Sequence, residues 1–355
     1  LTSKPVLDFK DGQFLQINAA ENEGLITVTA KVDMEVELLK DMHKNIQNDY
    51  VNAIAEKWNE QRVKIADHAA RSILFEQTGK WLKETLRVAA MDYVSSMCRF
   101  MLEKKLNMAP FKPIQEDDEF MDDTPPKVMA LSWGQGDRTS ATHMVVVETN
   151  HRLNHSCVFA KLGDRDREAD MEKFSDKVAI YEPDIIVLAG FHPGILTHLY
   201  NIVTEIVNKG RARKKFSKQI PIAIIDDDVA RVFMNSKEGQ KFYPDMHPMV
   251  RYLVSLARKV QDPIMEYSRL MNVEDDFKHL HLHPLQKLLP EDKLKRAMTR
   301  SFMTVIARCG IDINLCLDNE ELRSALQFVS GLGPRKASAI ISKLNRLVNQ
   351  LDLIL

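Results

Sequence analysis

Between residue 127 and about residue 240 short apolar runs alternate with charged helical stretches, and that order restricts the fold more than any other feature of the chain. VMALSW, HMVVVET and HSCVFAK are each of strand length and follow one another closely. A charged helical stretch from Asp164 to Tyr181 comes next, then the buried strand DIIVLAG, a helix from Pro193 to about Asn208, the strand PIAIID and a helix from Val229. Three strands able to form a meander, followed by βαβ units, predict an α/β layer.

The flanks read differently. Near the N-terminus, LQINAAENEGLITVTAKV predicts a β-hairpin turning at Asn22 to Gly24. From Met34 the period becomes helical, with Leu38, Met42 and Ile46, then Val51, Ile54 and Trp58, and later Trp81, Leu82, Leu86, Tyr93, Met97 and Met101. Gly79, after Thr78, is where one helix is expected to end and the next to begin. These stripes read as core rather than as a cofactor box, and the region receives no chemistry. The stretch PIQEDDEFMDDTPPK is too polar to pack; it reads as a solvated linker, with an acidic strip for a basic partner as the other reading. From about residue 245 the pattern is helical to the end, with Gly310 and Gly331 at expected helix ends and Pro334 at a helix start. The expected organisation is α+β and multidomain: a hairpin and helices with the acidic linker over 1–123, an α/β domain over 124–240, and a helical region over 241–355.

Bulk properties exclude several classes. The net charge of -1 leaves no global excess of positive charge to draw the chain to nucleic acid, so any such binding must be local. Cys98, Cys157, Cys309 and Cys316 form no CxxC pair, which suits a reducing compartment and idle thiols. Runs such as Ile185 to Gly190 are too short to span a bilayer and no signal peptide is visible, so no membrane partner is expected. Leu1 is not an initiator Met, and the expectation is a piece of something larger.

The most specific local signal is FVSGLGPRKASAII. It follows the helix-hairpin-helix pattern, with Leu326, Val329, Gly331, Leu332, Gly333, Ala337 and Ile340 at the expected spacings. Gly331 and Gly333 allow a tight turn and close approach of bare backbone to a phosphate, while Arg335 and Lys336 add charge there. Such a module grips DNA or RNA backbone without reading sequence, and the same hairpin also serves as a plain packing unit. A second candidate is GRARKKFSK, whose Arg211, Arg213, Lys214 and Lys215 could meet phosphate or acidic protein, or simply keep a loop solvated. WGQGDRT lacks the GK[ST] of a P-loop and reads as a hairpin turn. His279, His281 and His283 of HLHLHP lie near no cysteine, and no metal or cofactor is expected.

The strand and helix order resembles the RNase H-like fold, in its YqgF branch of Holliday-junction resolvase relatives. Together with MVRYLVSLARKVQDPIMEY, LPEDKLKRAM, GIDIN and FVSGLGPRKASAII, the run VMALSWGQGDRTSATHMVVV resembles the Tex family and its large eukaryotic branch of transcription-elongation factors and histone chaperones. The nucleases of this fold hold two divalent ions on a carboxylate cluster whose first Asp ends the first strand. The matching position here is Ser132, a neutral hydroxyl that cannot replace a bridging carboxylate. Asp137 lies too far along the chain, AGFHPG offers no acid, and Asp227 is the nearest surviving match, read more simply as a helix N-cap. The resemblance therefore implies a non-enzymatic scaffold, with a structure-specific metal-dependent nuclease or resolvase as the alternative. It also implies a nuclear location and, as partners, histones, RNA polymerase II in its elongation complex, other elongation factors and nucleic-acid backbone. Absent companions would be an acidic N-terminal segment, an oligonucleotide-binding barrel and tandem Src-homology-two domains.

Overall fold

The computed structural model describes residues 4–49, 52–112, 124–134, 140–160, 162, 168–216, 218–271 and 275–352. Residues 113–123 of the acidic stretch and Asp137 lie outside them. The chain divides into two compact units, one of residues 1–98 with 283–294, the other of residues 99–282 with 295–355.

The first unit is helical. α1 covers Gln13–Asn22, α2 covers Glu35–Ile46 and α3 covers Ala53–Ala69; a single π turn at Ala70–Leu74 then leads directly into α4, Phe75–Leu106, whose residues from Arg99 onward belong to the second unit. The β-hairpin expectation is overturned: Phe14 and Leu15 are buried neighbours on α1, an arrangement that suits a helix face, and residues 25–32 form no strand. Gly79 does not break the helix either. It lies inside α4, where a glycine costs about 1 kcal/mol relative to Ala but is tolerated among good helix formers. The expected core stripe is partly wrong as well. Met42, Ile46, Leu82, Leu86, Met97 and Met101 are half-buried, but Leu38, Ile54, Trp58, Trp81 and Tyr93 are exposed, and the buried positions are their neighbours Leu39, Val94 and Cys98.

The second unit contains the predicted α/β layer. β1 (Val128–Ser132), β2 (Thr142–Val147) and β3 (Leu153–Phe159) form the antiparallel meander; α5 (Glu168–Tyr181), β4 (Ile185–Leu188), α6 (Pro193–Ala212) and β5 (Ile222–Ile224) follow, and β4 and β5 run parallel to β1. The five-stranded order is β3-β2-β1-β4-β5. Two residues per pleat sort the side chains. Met129, Leu131, Met144, Val146, Ile186 and Leu188 meet α5 and α6 on one face. Val128, Ala130, Val145, Val147, Ile185 and Val187 form the other. β1, covered on both faces, is wholly buried, which is why VMALS shows no alternation.

That second face is covered by later helices. α7 (Asp228–Asn235), α8 (Lys237–Phe242), α9 (Pro248–Gln261) and α10 (Pro263–Ser268) follow the sheet, and α9 lays Leu253, Val254 and Leu256 into the same cluster as Val128. α11 (Glu291–Cys309) and α12 (Ile313–Asp318) lead to a 3-10 segment at Glu320–Phe328 and then α13, Gly333–Asp352. Leu322, Ala325 and Leu326 of the 3-10 segment pack with Ala337 and Ile341 of α13 to close the predicted hairpin.

A largely buried ion-pair network joins this hairpin to the sheet. Arg258 of α9 donates from Nη2 to the Tyr243 hydroxyl (2.8 Å) and to Glu321 Oε1 (3.0 Å), and from Nε to the His151 carbonyl (2.9 Å). Arg269 pairs with Glu238 (3.1 Å), Glu266 (3.3 Å) and Glu321 (3.2 Å). Both arginine side chains are 1% exposed, so the carboxylates offset the cost of burying the two guanidinium charges. Burial alone would raise the Glu321 carboxyl, but the hydrogen bond and charge of Arg258 and the charge of Arg269 bring it below its usual range.

Candidate functional site

Ser132 ends β1 with its side chain fully buried, and its Oγ has no hydrogen-bond partner among the described residues. It lies on the α9 side of the sheet with Val128 and Ala130, opposite His143 of β2. His143 stacks on His247, the N-cap residue of α9, at 4.8 Å between ring centres.

Asp227 follows β5, and β4 lies between the two strands, so about 10 Å of sheet separates it from Ser132. It occupies the N-cap position of α7 as expected, but its side chain makes no capping bond. Instead Oδ2 accepts from the Tyr252 hydroxyl at 2.5 Å and from Arg231 Nε at 2.8 Å. The carboxylate thus pins α7 to α9, and the N-cap expectation is corrected to a packing role. Burial, then Asp227 itself, raises the Tyr252 phenol, which stays a donor throughout the physiological range. Arg231 also lies over the Phe191 ring at 4.8 Å.

The neighbouring acids are committed elsewhere. Asp226 accepts from Lys105 at 2.6 Å. Asp228 accepts from Lys105 (2.7 Å), Lys259 (2.7 Å) and the Tyr267 hydroxyl (2.6 Å). Burial would raise the Asp228 carboxyl, but Lys259, Lys105 and Tyr267 outweigh it and hold it at about 2. Among the described residues no group of three or more His, Cys, Asp or Glu side chains is placed to hold a metal ion. Of these partners only Arg231, four residues after Asp227, was within reach of a sequence argument; Tyr252, Lys259 and Lys105 come from distant helices.

The candidate basic loop is less free than its composition implies. α6 continues to Ala212, past its expected end. Phe216 is buried against the core, Lys215 binds Asp176 at 2.6 Å, and Lys218 binds Asp184. Arg211, Arg213 and Lys214 remain exposed.

The turn of the helical hairpin has the geometry its sequence requires. Gly331 (φ 86°) and Gly333 (φ 63°) both occupy the left-handed region, and a Cβ at either would meet nothing within 4 Å. Backbone conformation, not crowding, therefore demands glycine, and the bare peptide faces open space. Arg335 and Lys336 are exposed on the first turn of α13, and Lys336 Nζ donates to the Gly331 carbonyl at 3.0 Å.

Comparison with known proteins agrees with both halves of this unit. Residues 122–271 match the family described as Holliday-junction resolvase-like of SPT6, and residues 275–354 match the helix-hairpin-helix motif. The chain is 31% identical to the transcription elongation factor SPT6 of Gibberella zeae and 29% identical to that of Neurospora crassa, each over 94% of this chain and 24% of the relative. It is 27% identical to the Drosophila melanogaster factor over 100% of this chain and 21% of the relative. The chain thus spans about a quarter of the length of the curated relatives it matches.

Proposed function

Because the chain belongs to the SPT6 family of transcription elongation factors, we propose that it forms the non-enzymatic core of such a factor, which binds chromatin components and keeps nucleosomes in place during transcription by RNA polymerase II. The observation that carries the non-enzymatic part is Ser132, a buried hydroxyl where a nuclease of this fold needs its first metal-bridging carboxylate. Asp227, the nearest remaining acid, already holds Tyr252 and Arg231. On this reading the sheet is a scaffold, and the family relation supports work in the nucleus with histones, the elongating polymerase and other elongation factors as partners.

Within that scaffold Gly331, Gly333, Arg335 and Lys336 form the contact to DNA or RNA backbone, with Arg211, Arg213 and Lys214 as a second cationic patch. Support comes from open peptide at the turn and exposed cations beside it. Lys215 is a weaker member because Asp176 already neutralises it.

Incubation with branched and single-stranded DNA plus magnesium or manganese tests the first claim. No cleavage is expected; cleavage that disappears in Asp227→Asn would establish the nuclease alternative instead. For the second claim, Arg335→Glu combined with Lys336→Glu is expected to weaken DNA binding at least tenfold at low salt and to flatten its salt dependence. Unchanged binding would make the hairpin a packing unit.

A further inference from the structure

A groove of about 620 Å³ lies in the second unit where three chain segments converge, residues 106–110, 262–265 and 309–312. Its walls include Met108, Pro110, Pro263 and Ile311, and its acidic groups are Asp262 and Asp312. α4 and α11 deliver their C-terminal ends to it, at Leu106 and Cys309. The two helices lie side by side there: Ser301 Oγ donates to the Arg99 carbonyl (3.1 Å) and Arg99 Nη2 to Thr304 Oγ1 (3.3 Å).

Each helix end carries roughly half an elementary negative charge on its unpaired carbonyls. Asp262 and Asp312 add two carboxylates as the N-caps of α10 and α12, each with an oxygen on a backbone N-H, Met265 at 3.0 Å and Asn314 at 2.8 Å, so the two helix starts offset part of the charge and leave the floor negative. Neither has a cationic partner among the described residues. Lys105, in the last turn of α4, is held by Asp226 and Asp228, and neither Lys104 nor Arg308 lines the groove. Burial pushes the Asp262 carboxyl up, a strain that a bound cation would relieve. The result is an electronegative floor between apolar walls, with Met108 49% exposed at the rim. Nucleic acid is repelled by such a floor. Arginine and lysine suit it, because an apolar stem can lie along the walls while the charged head meets the carboxylates.

We propose that this groove binds an extended basic segment of a partner protein, seating one arginine or lysine head between Asp262 and Asp312 and an adjoining apolar residue against Met108 and Ile311. The site stands apart from the nucleic-acid reading of the hairpin and survives if that reading fails.

The test uses the whole 355-residue chain and a fluorescein-labelled peptide of alternating arginine and leucine, with the glutamate-leucine counterpart as control. Binding read by polarisation should perturb the Met108 methyl resonance. Asp262→Asn with Asp312→Asn keeps a capping oxygen at both positions and removes both charges, so affinity should fall at least tenfold with unchanged melting. Met108→Lys should weaken binding similarly by placing a cation at the rim. The proposal is overturned if the wild-type chain ignores the arginine peptide at millimolar concentration, if the glutamate peptide binds as tightly, or if both variants bind like wild type.

Discussion

At Asp227 the packing role predicts a graded response. Asp227→Asn keeps an acceptor for the Tyr252 hydroxyl and should lower the unfolding free energy by about 1 kcal/mol, whereas Asp227→Ala strands a buried phenol and should lower it by about 2–3 kcal/mol, both measured in urea. Equal effects would contradict the role. His151 gives a pH signature. Its imidazole is 1% exposed, and burial, then the charge of Arg258, holds it at about 4, below the ordinary 6.5. Between these values the unfolded chain binds a proton that the native side chain refuses. Stability is therefore complete above about pH 6.5 and is lost as pH falls toward 4, by about 3 kcal/mol in full. Burial lowers His143 and His155 as well, so their contributions have the same sign. The urea midpoint should be lower at pH 5 than at pH 7.5. His151→Asn, which tolerates the φ of 61°, should flatten that slope; an unchanged slope would locate the sensitivity elsewhere.

Among the elements, the 3-10 segment at Glu320–Phe328 depends on one side chain to a degree its length hides. Glu321→Ala leaves Arg258 and Arg269 short of a counter-charge and should cost about 3–5 kcal/mol by thermal or urea unfolding. By contrast Trp58→Ser and Trp81→Ser, at 63% and 66% exposed, should stay within about 0.5 kcal/mol of wild type. A large loss in either would return them to the core the sequence suggested. Helical period alone made those tryptophans look internal, because a stripe of large apolar residues names a face but not what covers it. The α/β alternation was legible because each strand's burial is written into its own residues, and the glycine turn because φ above zero leaves few residue choices. The network was not. Arg258 and Glu321 stand 63 positions apart, and no local pattern links a helix interior to a distant short segment. The same limit applies to Asp227, whose i+4 partner Arg231 is visible in sequence and whose partner Tyr252 is not.

In the unit that holds the sheet and the hairpin, the shared carboxylates make opening a collective event. Amide hydrogen exchange in Glu321→Ala should rise together at β1 and at the start of α13; faster exchange confined to residues 320–352 would show that the hairpin opens alone. The buried position of Ser132 limits what a substitution there can restore. Putting an aspartate back at that position would seal a charge into a wall with no outlet to solvent, while the acid two strands away is already engaged by a phenol and a guanidinium. A single reversion should therefore yield a less stable protein, not a cutting one. With α9 packed on this face of the sheet, a carboxylate restored at one position does not restore a metal-holding cluster, and a change of function is left to the surfaces that bind.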